Sequence, residues 1–321
     1  MFQIIWKETH IDFMGKRFIA FTLSGLLVLA GIFAFIQISL GNANLGIEFV
    51  GGTAMQISFS KPVPLDQARG AIRGTGITGE ELQNIEGKNA IFVRVKRVDI
   101  GTNPEETAEK RITDALRKLD DKLTIDSSES IGPTIGKELR DKAILAIIFA
   151  TLGLLIYIAI RFDYKFGIAA AIATFHDVLA VLGVVYILNI EITLFIITAL
   201  LTLAGYSLTD TVVVFDRIRE NLRKNPRMPF MDLLNASINQ VLSRTIITSL
   251  TVLLVLVALF FFGGTVLHDF SFALGFGVIV GTYSSIFVAS PLLLIWRGGG
   301  SGKLIGQVKR EQPTAAATSK P

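Results

Sequence analysis

The chain is organised around the stretch Gly205-Tyr206-Ser207-Leu208-Thr209-Asp210-Thr211-Val212-Val213-Val214-Phe215-Asp216-Arg217. This stretch begins inside a long apolar segment and places a carboxylate, Asp210, where a membrane-spanning helix should still lie in lipid. An aspartate near the centre of such a helix costs about 2.5 to 3.5 kcal/mol on insertion scales. A cost of that size requires either a compensating partner or a function.

The composition is that of a membrane protein. Of the 321 residues, 51% are hydrophobic and 18% are charged, and the mean hydropathy is +0.55. A net charge of +4 would suggest a nucleic-acid partner in a soluble protein, but here the basic residues cluster at the ends of apolar segments. That distribution follows the positive-inside rule. We therefore expect the basic residues to face a lipid bilayer and the protein to bind no nucleic acid. The chain has no cysteine, and therefore no disulfide stabilises it.

Six apolar runs predict six transmembrane helices, because each is long enough to cross a bilayer. They cover residues 18–40, 143–160, 166–188, 192–215, 245–262 and 270–296. The first run is longer than the core of a signal peptide and lacks a small-residue cleavage site, so we expect it to be retained. Residues 1–17 form a short N-terminus, residues 216–244 a polar segment, and residues 297–321 a tail whose Gly/Ser-rich and polar composition predicts disorder.

Residues 41–141, between the first two runs, have the pattern of a small α+β domain. Alternation at 54–59 and 90–98 predicts two strands, and 124–131 is a candidate third strand. Helices are expected over 65–73 and from Pro104 to about Leu123, where proline and acidic residues favour a helix start.

Basic residues orient the chain in the membrane. The N-terminus, residues 161–165, the 216–244 segment and the tail are basic, and they alternate with base-poor turns at 189–191 and 263–269. This alternation predicts cytoplasmic termini and places the 41–141 domain on the opposite, extracytoplasmic side of the membrane.

Polar residues inside the fourth run form the first candidate site. Thr198, Thr202, Tyr206 and Asp210 are four residues apart and therefore share one helix face. The stripe is typical of one wall of a polar path. Threonines bonded to their own helix backbone, with Asp210 as a buried tie between helices, explain the same spacing equally well.

Other polar residues accompany this stripe. Arg244, at the start of the fifth run, is the candidate partner of Asp210, although an arginine there also suits a cation that reaches the cytoplasmic edge. Thr248 shares the face of Arg244. His176 and Asp177 form a second ionisable pair, but adjacent residues point to different helix faces, so no contact between them is required.

The sixth run favours close helix packing. Gly277 and Gly281 have the small-xxx-small spacing of packed membrane helices, and Ser284 and Ser285 follow them. The sequence has no P-loop, no zinc-type spacing and no catalytic triad, so it suggests no enzymatic nucleotide or metal chemistry and no cofactor.

Three motifs carry a resemblance to a known family. One helix, a large domain and five further helices resemble half of a resistance-nodulation-division (RND) transporter. Residues 45–53 resemble the Gly-x-Asp-Phe-x-Gly-Gly-Thr signature that opens the outside domain in the SecD/SecF family, through Gly46, Glu48, Phe49, Gly51, Gly52 and Thr53. Residues 130–139, with Gly132 and Pro133, resemble the segment that closes this domain. The stretch that contains Gly205, Ser207 and Asp210 is similar to the SecF branch in particular, as is the small domain. Glu48 stands where the family usually has aspartate and Thr209 where it usually has asparagine.

The resemblance implies a function in bacterial protein export. SecF-type subunits pair with SecD in a twelve-helix unit that is associated with the SecYEG channel of the bacterial inner membrane. They use the proton-motive force to help move unfolded exported polypeptides. Carried onto this sequence, Asp210 takes the role of the ion-carrying aspartate, for H+ or Na+, and Arg244 that of its partner.

Two alternatives stand beside this function. One is a scaffold subunit of the translocase, in which Asp210 is only a buried tie. The other, ranked lower, is half of an RND small-molecule exporter, whose outside domains are usually far larger.

Overall fold

The computed structural model of the chain describes residues 9–77, 79–85, 88–96 and 108–296. Within these ranges, six helical segments are long and apolar enough to cross a membrane, and a small α+β domain lies between the first two, which confirms the predicted fold class. The six segments are Met14–Ser39, Thr134–Arg161, Tyr164–Ile187, Leu194–Lys224, Phe230–Phe262 and Leu267–Trp296.

The elements are numbered in chain order. They are α1 (Arg17–Ser39), α2 (Ile47–Val50), β1 (Gly52–Ser58), α3 (Leu65–Arg73), β2 (Glu80–Ile85), β3 (Ala90–Lys96), α4 (Ala108–Arg117), β4 (Thr124–Ile131), α5 (Pro133–Arg161), α6 (Tyr164–Ile187), α7 (Leu194–Lys224), α8 (Phe230–Phe262), α9 (Gly264–Ser284), a π-helical turn (Ser285–Ala289) and α10 (Ser290–Trp296).

The α+β domain is a four-stranded antiparallel sheet covered by α3 and α4. The strand order is β2-β3-β1-β4, with β1 paired to β3 and to β4. Apolar residues of β1, β2 and β3 form one buried cluster with those of the two helices. Sequence reasoning missed β2, because residues 80–85 are rich in Glu, Gln and Asn. Such polar residues occur in strands mainly where the surrounding structure favours them. The predicted helix start at Pro104 lies outside the described residues.

Two helix boundaries differ from the sequence prediction. Helix α5 begins at Pro133, directly after the extended Gly132, so residues 133–141 belong to the second membrane helix. The polar 216–244 segment is helical except for a short break, since α7 continues to Lys224 and α8 begins at Phe230. Hydropathy marks where a helix enters lipid, whereas helix-forming polar residues let it continue beyond that point. Residues 1–8 and the predicted disordered tail lie outside the described residues.

Helices α6, α7 and α9 contact one another and form the buried centre of the membrane domain. Helices α1, α5 and α8 pack around them and expose most of their apolar side chains. The predicted close packing of the sixth membrane segment is confirmed and occurs against α7. A Cβ atom placed on Gly277 would lie 2.6 Å from Leu203 Cδ2, and one on Gly281 would lie 3.1 Å from Ser207 Cβ.

The sixth membrane segment changes its winding in its second half. A π-helical turn, Ser285–Ala289, separates α9 from α10, and Ser290 Oγ donates a hydrogen bond to the Ser285 carbonyl oxygen at 2.9 Å. Such turns are rare and occur frequently at functional sites. This one begins at a serine that contacts Asp210.

Candidate functional site

Asp210 lies inside the helix bundle with only 8% of its surface exposed. Thr245 Oγ1 of α8 donates a hydrogen bond to Asp210 Oδ1 at 3.0 Å, and Ser285 Oγ donates to Oδ2 at 3.0 Å. The carboxylate of α7 is therefore bound by hydroxyl groups from two other elements.

The predicted ion pair between Arg244 and Asp210 is not formed in this conformation. Arg244 is exposed, and among the described residues no cation lies within ion-pair distance of Asp210. The next residue on α8, Thr245, faces the carboxylate, and a step of one residue turns a helix by about 100°. Thr248 is exposed and donates to carbonyl oxygens of its own helix.

The predicted stripe on α7 does not form one continuous buried path. Tyr206 is half-buried and donates to Ser249 Oγ of α8 at 3.3 Å, but Thr198 and Thr202 are exposed on this chain. Positions four apart drift by about 40° around a helix, so the stripe winds out of the interior. Polar contacts continue instead from Tyr206 through Ser249 to Thr282 of α9, whose Oγ1 lies 2.6 Å from Ser249 Oγ.

His176 and Asp177 do touch, although their helix positions do not require it. Their side chains are 4% and 0% exposed, and His176 Nδ1 lies 2.8 Å from Asp177 Oδ1. The other carboxylate oxygen accepts hydrogen bonds from Ser207 of α7 and from Ser284 Oγ of α9, the latter at 2.7 Å. This pair is thus bound to α7, the helix that carries Asp210, and to α9, which ends directly before the π turn that contacts Asp210.

Adjacent serines connect the two buried carboxylates. Ser284, the last residue of α9, contacts Asp177, and Ser285, the first residue of the π turn, contacts Asp210. Ser207 lies about one turn before Asp210 on α7 and also contacts Asp177. We call the following residues the polar core: Asp177, Ser207, Asp210, Thr245, Ser284 and Ser285. Sequence reasoning assigned the two adjacent serines only to helix packing and missed Thr245.

The glycine motif, residues 45–53, lies where the α+β domain meets the turn before α7. The Gly46 N–H donates to the Ile192 carbonyl at 2.9 Å, and the Ile192 N–H donates to the Asn44 carbonyl at 2.8 Å. Gly51, with φ of +80°, and Gly52, with φ of +154°, turn the chain from α2 into β1. A Cβ atom on Gly52 would lie 2.4 Å from the Val95 carbonyl oxygen, so only glycine fits.

The second motif packs against the first. Gly136, in the first turns of α5, lies so close that its Cβ atom would be 3.1 Å from the Gly51 nitrogen. Phe49 is buried, and Thr53 Oγ1 of β1 shares a hydrogen bond with Ser130 Oγ of β4 at 3.1 Å. Gly132 and Pro133 begin α5 beside this contact. By contrast, no contact among the described residues explains Gly205, since a Cβ atom there would meet none of their atoms within 4 Å.

Comparison with known families matches both parts of the chain. Residues 111–299 match the family described as protein export membrane protein SecD/SecF, C-terminal, and residues 43–63 match the SecD/SecF GG motif. The first match includes α5 to α10 and hence the polar core. The second includes the glycine motif.

Curated relatives match over nearly their whole length. The protein translocase subunit SecF of Thermodesulfovibrio yellowstonii is 52% identical over 297 residues, which cover 92% of this chain and 97% of that protein. The subunit of the same name from Endomicrobium trichonymphae is 42% identical over 293 residues, which cover 91% of this chain and 93% of that protein.

The fold resembles a solved structure of a longer protein. The crystal structure of SecDF, a translocon-associated membrane protein from Thermus thermophilus, matches with a TM-score of 0.76 and 37% identity. The match covers 90% of this chain but 39% of that SecDF chain, so this chain spans less than half the length of that structural relative.

Proposed function

This chain belongs to the SecF family of protein translocase subunits, and from that premise we propose that it couples the proton-motive force to protein export. In this proposal it joins a SecD partner, acts beside the SecYEG channel and contacts the unfolded exported polypeptide through its α+β domain. One observation carries the proposal: Asp210 is buried in an apolar helix but is bound by hydroxyl groups of two neighbouring elements. A buried ionisable residue within a membrane segment is by default a candidate functional group.

The proposed ion step takes place in the polar core. Asp210 binds a proton from one side of the membrane and releases it to the other, alternating between the hydroxyl-bound state and a state paired with Arg244. Asp177 and His176 act as the second ionisable station, because Ser284 and Ser285 connect the two carboxylates. Each proton that crosses the membrane supplies about 2.3 kcal/mol per 100 mV, which can bias a movement of α7 and of the domain attached to it. Na+ could replace H+ at the same carboxylate, and no other cofactor is required.

The proposed setting is the bacterial inner membrane. The basic segments at 161–165 and 216–244 support cytoplasmic termini and an extracytoplasmic α+β domain. The exposed apolar faces of α1, α5 and α8 suit contact with lipid and with the SecD helices. In this arrangement the subunit performs transport driven by an ion gradient and needs no nucleotide chemistry of its own.

Asp210→Asn tests this function. The variant should be purified with SecD, reconstituted with SecYEG and assayed for export under imposed proton and sodium gradients in separate vesicles. We expect a normally assembled complex that has lost gradient-dependent export, because an amide cannot bind and release a proton. The matched control is Asp232→Asn, the same change at an exposed position of α8, which should leave export unchanged.

The scaffold alternative predicts a different result for the same variant. The hydroxyl contacts of Asp210 also suit a structural tie, and in that case Asp210→Asn would impair assembly with SecD. Normal gradient-dependent export by the Asn variant would refute ion coupling at Asp210. The two gradients also identify the coupling ion, since only the gradient of that ion should stimulate export.

A further inference from the structure

Charged side chains join the α+β domain to the turn immediately before α7. Arg94, on strand β3, forms an ion pair with Glu191, which lies just before α7 begins at Leu194. Lys96 Nζ of the same strand lies 3.8 Å from Glu191 Oε1 and also donates a hydrogen bond to the Asn44 side chain. We call Arg94, Lys96 and Glu191 the junction cluster.

Glu191 of the junction cluster is buried, and its partners Arg94 and Lys96 are partly buried. The Glu191 side chain is 4% exposed and that of Arg94 is 19% exposed, whereas those of Glu138 and Lys142, which form a surface pair on α5, are 62% and 67% exposed. Removal of one partner from a buried pair leaves an uncompensated charge, while an exposed pair contributes little. Removal of either charge should therefore strongly destabilise the contact between β3 and Glu191.

Further carboxylates lie close to the two basic residues of this junction. Glu81 lies 3.9 Å from Arg94 and 3.3 Å from Lys96. Glu48 is half-buried, and burial raises the pKa of its carboxyl group, while the nearby Arg94 charge opposes that rise. Burial lowers the pKa of Arg94 itself, and the charges of Glu81 and Glu48 act against this. With Asp269, which also acts on Arg94, at least four carboxylates thus surround the two cations of this site.

Rigid elements hold both ends of the contact. Strand β3 lies between β2 and β1 in the sheet, so Arg94 projects from an internal strand rather than from an edge. Glu191 is followed by Ile192, whose backbone pairs with Asn44 and Gly46, and by Thr193, which caps the start of α7. The helix that begins there continues without interruption past Asp210 to Lys224. Movement at either end is therefore not absorbed by a flexible linker.

We propose that the Arg94–Glu191 pair transmits movement of α7 to the α+β domain. Glu191 is in this view a positioning residue: it binds no ion for transport, and the pair stays closed while α7 and the sheet move together. The inference rests on the proposed ion coupling at Asp210. It adds the residues through which ion binding in the membrane reaches the domain that handles polypeptide.

The test compares ion movement and export in the same vesicles. Glu191→Gln and Arg94→Gln, each with SecD and SecYEG, should retain proton flux under an imposed gradient but lose gradient-dependent export. Asp210→Asn should lose both. Glu138→Gln breaks the exposed pair on α5 and serves as the matched control that should retain both.

A disulfide across the junction provides the second measurement. It compares the oxidised and reduced forms of one variant, so a folding defect of that variant would affect both forms. Leu45 and Ile192 are paired across the junction, and the native chain has no cysteine, so Leu45→Cys with Ile192→Cys allows one defined disulfide. Because the junction stays closed in the proposed mechanism, the oxidised protein should export as well as the reduced one.

Each outcome bears on one proposal. Loss of export on oxidation, normal export by Glu191→Gln, or loss of proton flux in a folded Glu191→Gln complex would each overturn the junction proposal. Normal gradient-dependent export by Asp210→Asn would instead overturn the proposed function itself.

Discussion

Replacement of Gly31 by alanine should destabilise the membrane domain, because α1 crosses α6 in direct backbone contact at this residue. A Cβ atom on Gly31 would lie 2.3 Å from the Leu179 carbonyl oxygen and 2.6 Å from its carbonyl carbon. Neither atom can turn aside, since both belong to the backbone of α6. The two helices must therefore separate by about 1 Å before the methyl group fits, given the optimal separation of non-bonded carbon atoms.

The size of the effect follows from two opposing terms. Separation of a close-packed interface by up to 1 Å forfeits about a quarter to a half of each affected dispersion contact, and overpacked sites lose about 1–3 kcal/mol. Alanine recovers up to about 1 kcal/mol through its higher helix propensity. We expect the free energy of unfolding to fall by about 1–2 kcal/mol for Gly31→Ala.

Gly25 provides the matched control on the same helix. A Cβ atom there would meet no atom of the described part of the chain within 4 Å, so Gly25→Ala should leave the free energy of unfolding unchanged or raise it. The free energies are measured by SDS titration of the purified variants in mixed micelles, with far-UV circular dichroism as the probe. Equal unfolding midpoints for the two alanine variants would refute the deduced backbone contact.

Two further predictions concern the segments outside the lipid. Burial raises the pKa of the Glu48 carboxyl group above its ordinary 4.5, so the folded junction binds this proton more tightly than the unfolded chain. The contribution of Glu48 to stability should therefore fall as pH rises from 4.5 through the raised value, and Glu48→Gln should remove that dependence in hydrogen exchange of α2 and β1. Asn235 Oδ1 accepts the backbone N–H groups of residues 13 and 14, each at 3.0 Å. Asn235→Ala should release this N-terminal segment at a cost of about 1–3 kcal/mol, visible as faster limited proteolysis before α1, whereas an unchanged cleavage rate would contradict it.

The sequence predicted the membrane helices well because lipid imposes a strong requirement. Every spanning segment needs a long apolar run, and each of the six runs overlaps one of the six helical segments. The helix ends were predicted less well, since beyond the lipid a helix such as α7 continues on polar residues that a hydropathy pattern does not mark. Strand β2 was missed for a related reason: its stability depends on pairing with β3 rather than on its own residues.

The site was only half predictable. Asp210 was visible because an aspartate in lipid is costly wherever its partners lie. Its partners Thr245 and Ser285 were not visible, since serine and threonine are common in membrane helices and only the rotation of each helix selects which hydroxyl faces inward. The difference between Arg244 and Thr245 is a single helix position. Spacing along one helix cannot resolve that rotation relative to another helix.

The same contacts limit how Arg244 can reach Asp210 in the proposed cycle. Thr245 and Ser249 lie on one face of α8, where Thr245 contacts Asp210, and Ser249 contacts both Tyr206 and the α9 residue Thr282. Rotation of α8 by one residue position, about 100°, would break both sets of hydrogen bonds together. A guanidinium on a long side chain can approach the carboxylate while α8 keeps its orientation. We therefore expect Arg244 to replace Thr245 as the partner of Asp210 through a side-chain movement and not through a helix rotation. The Ser249 contacts should then persist in a structure of the Arg244-paired state.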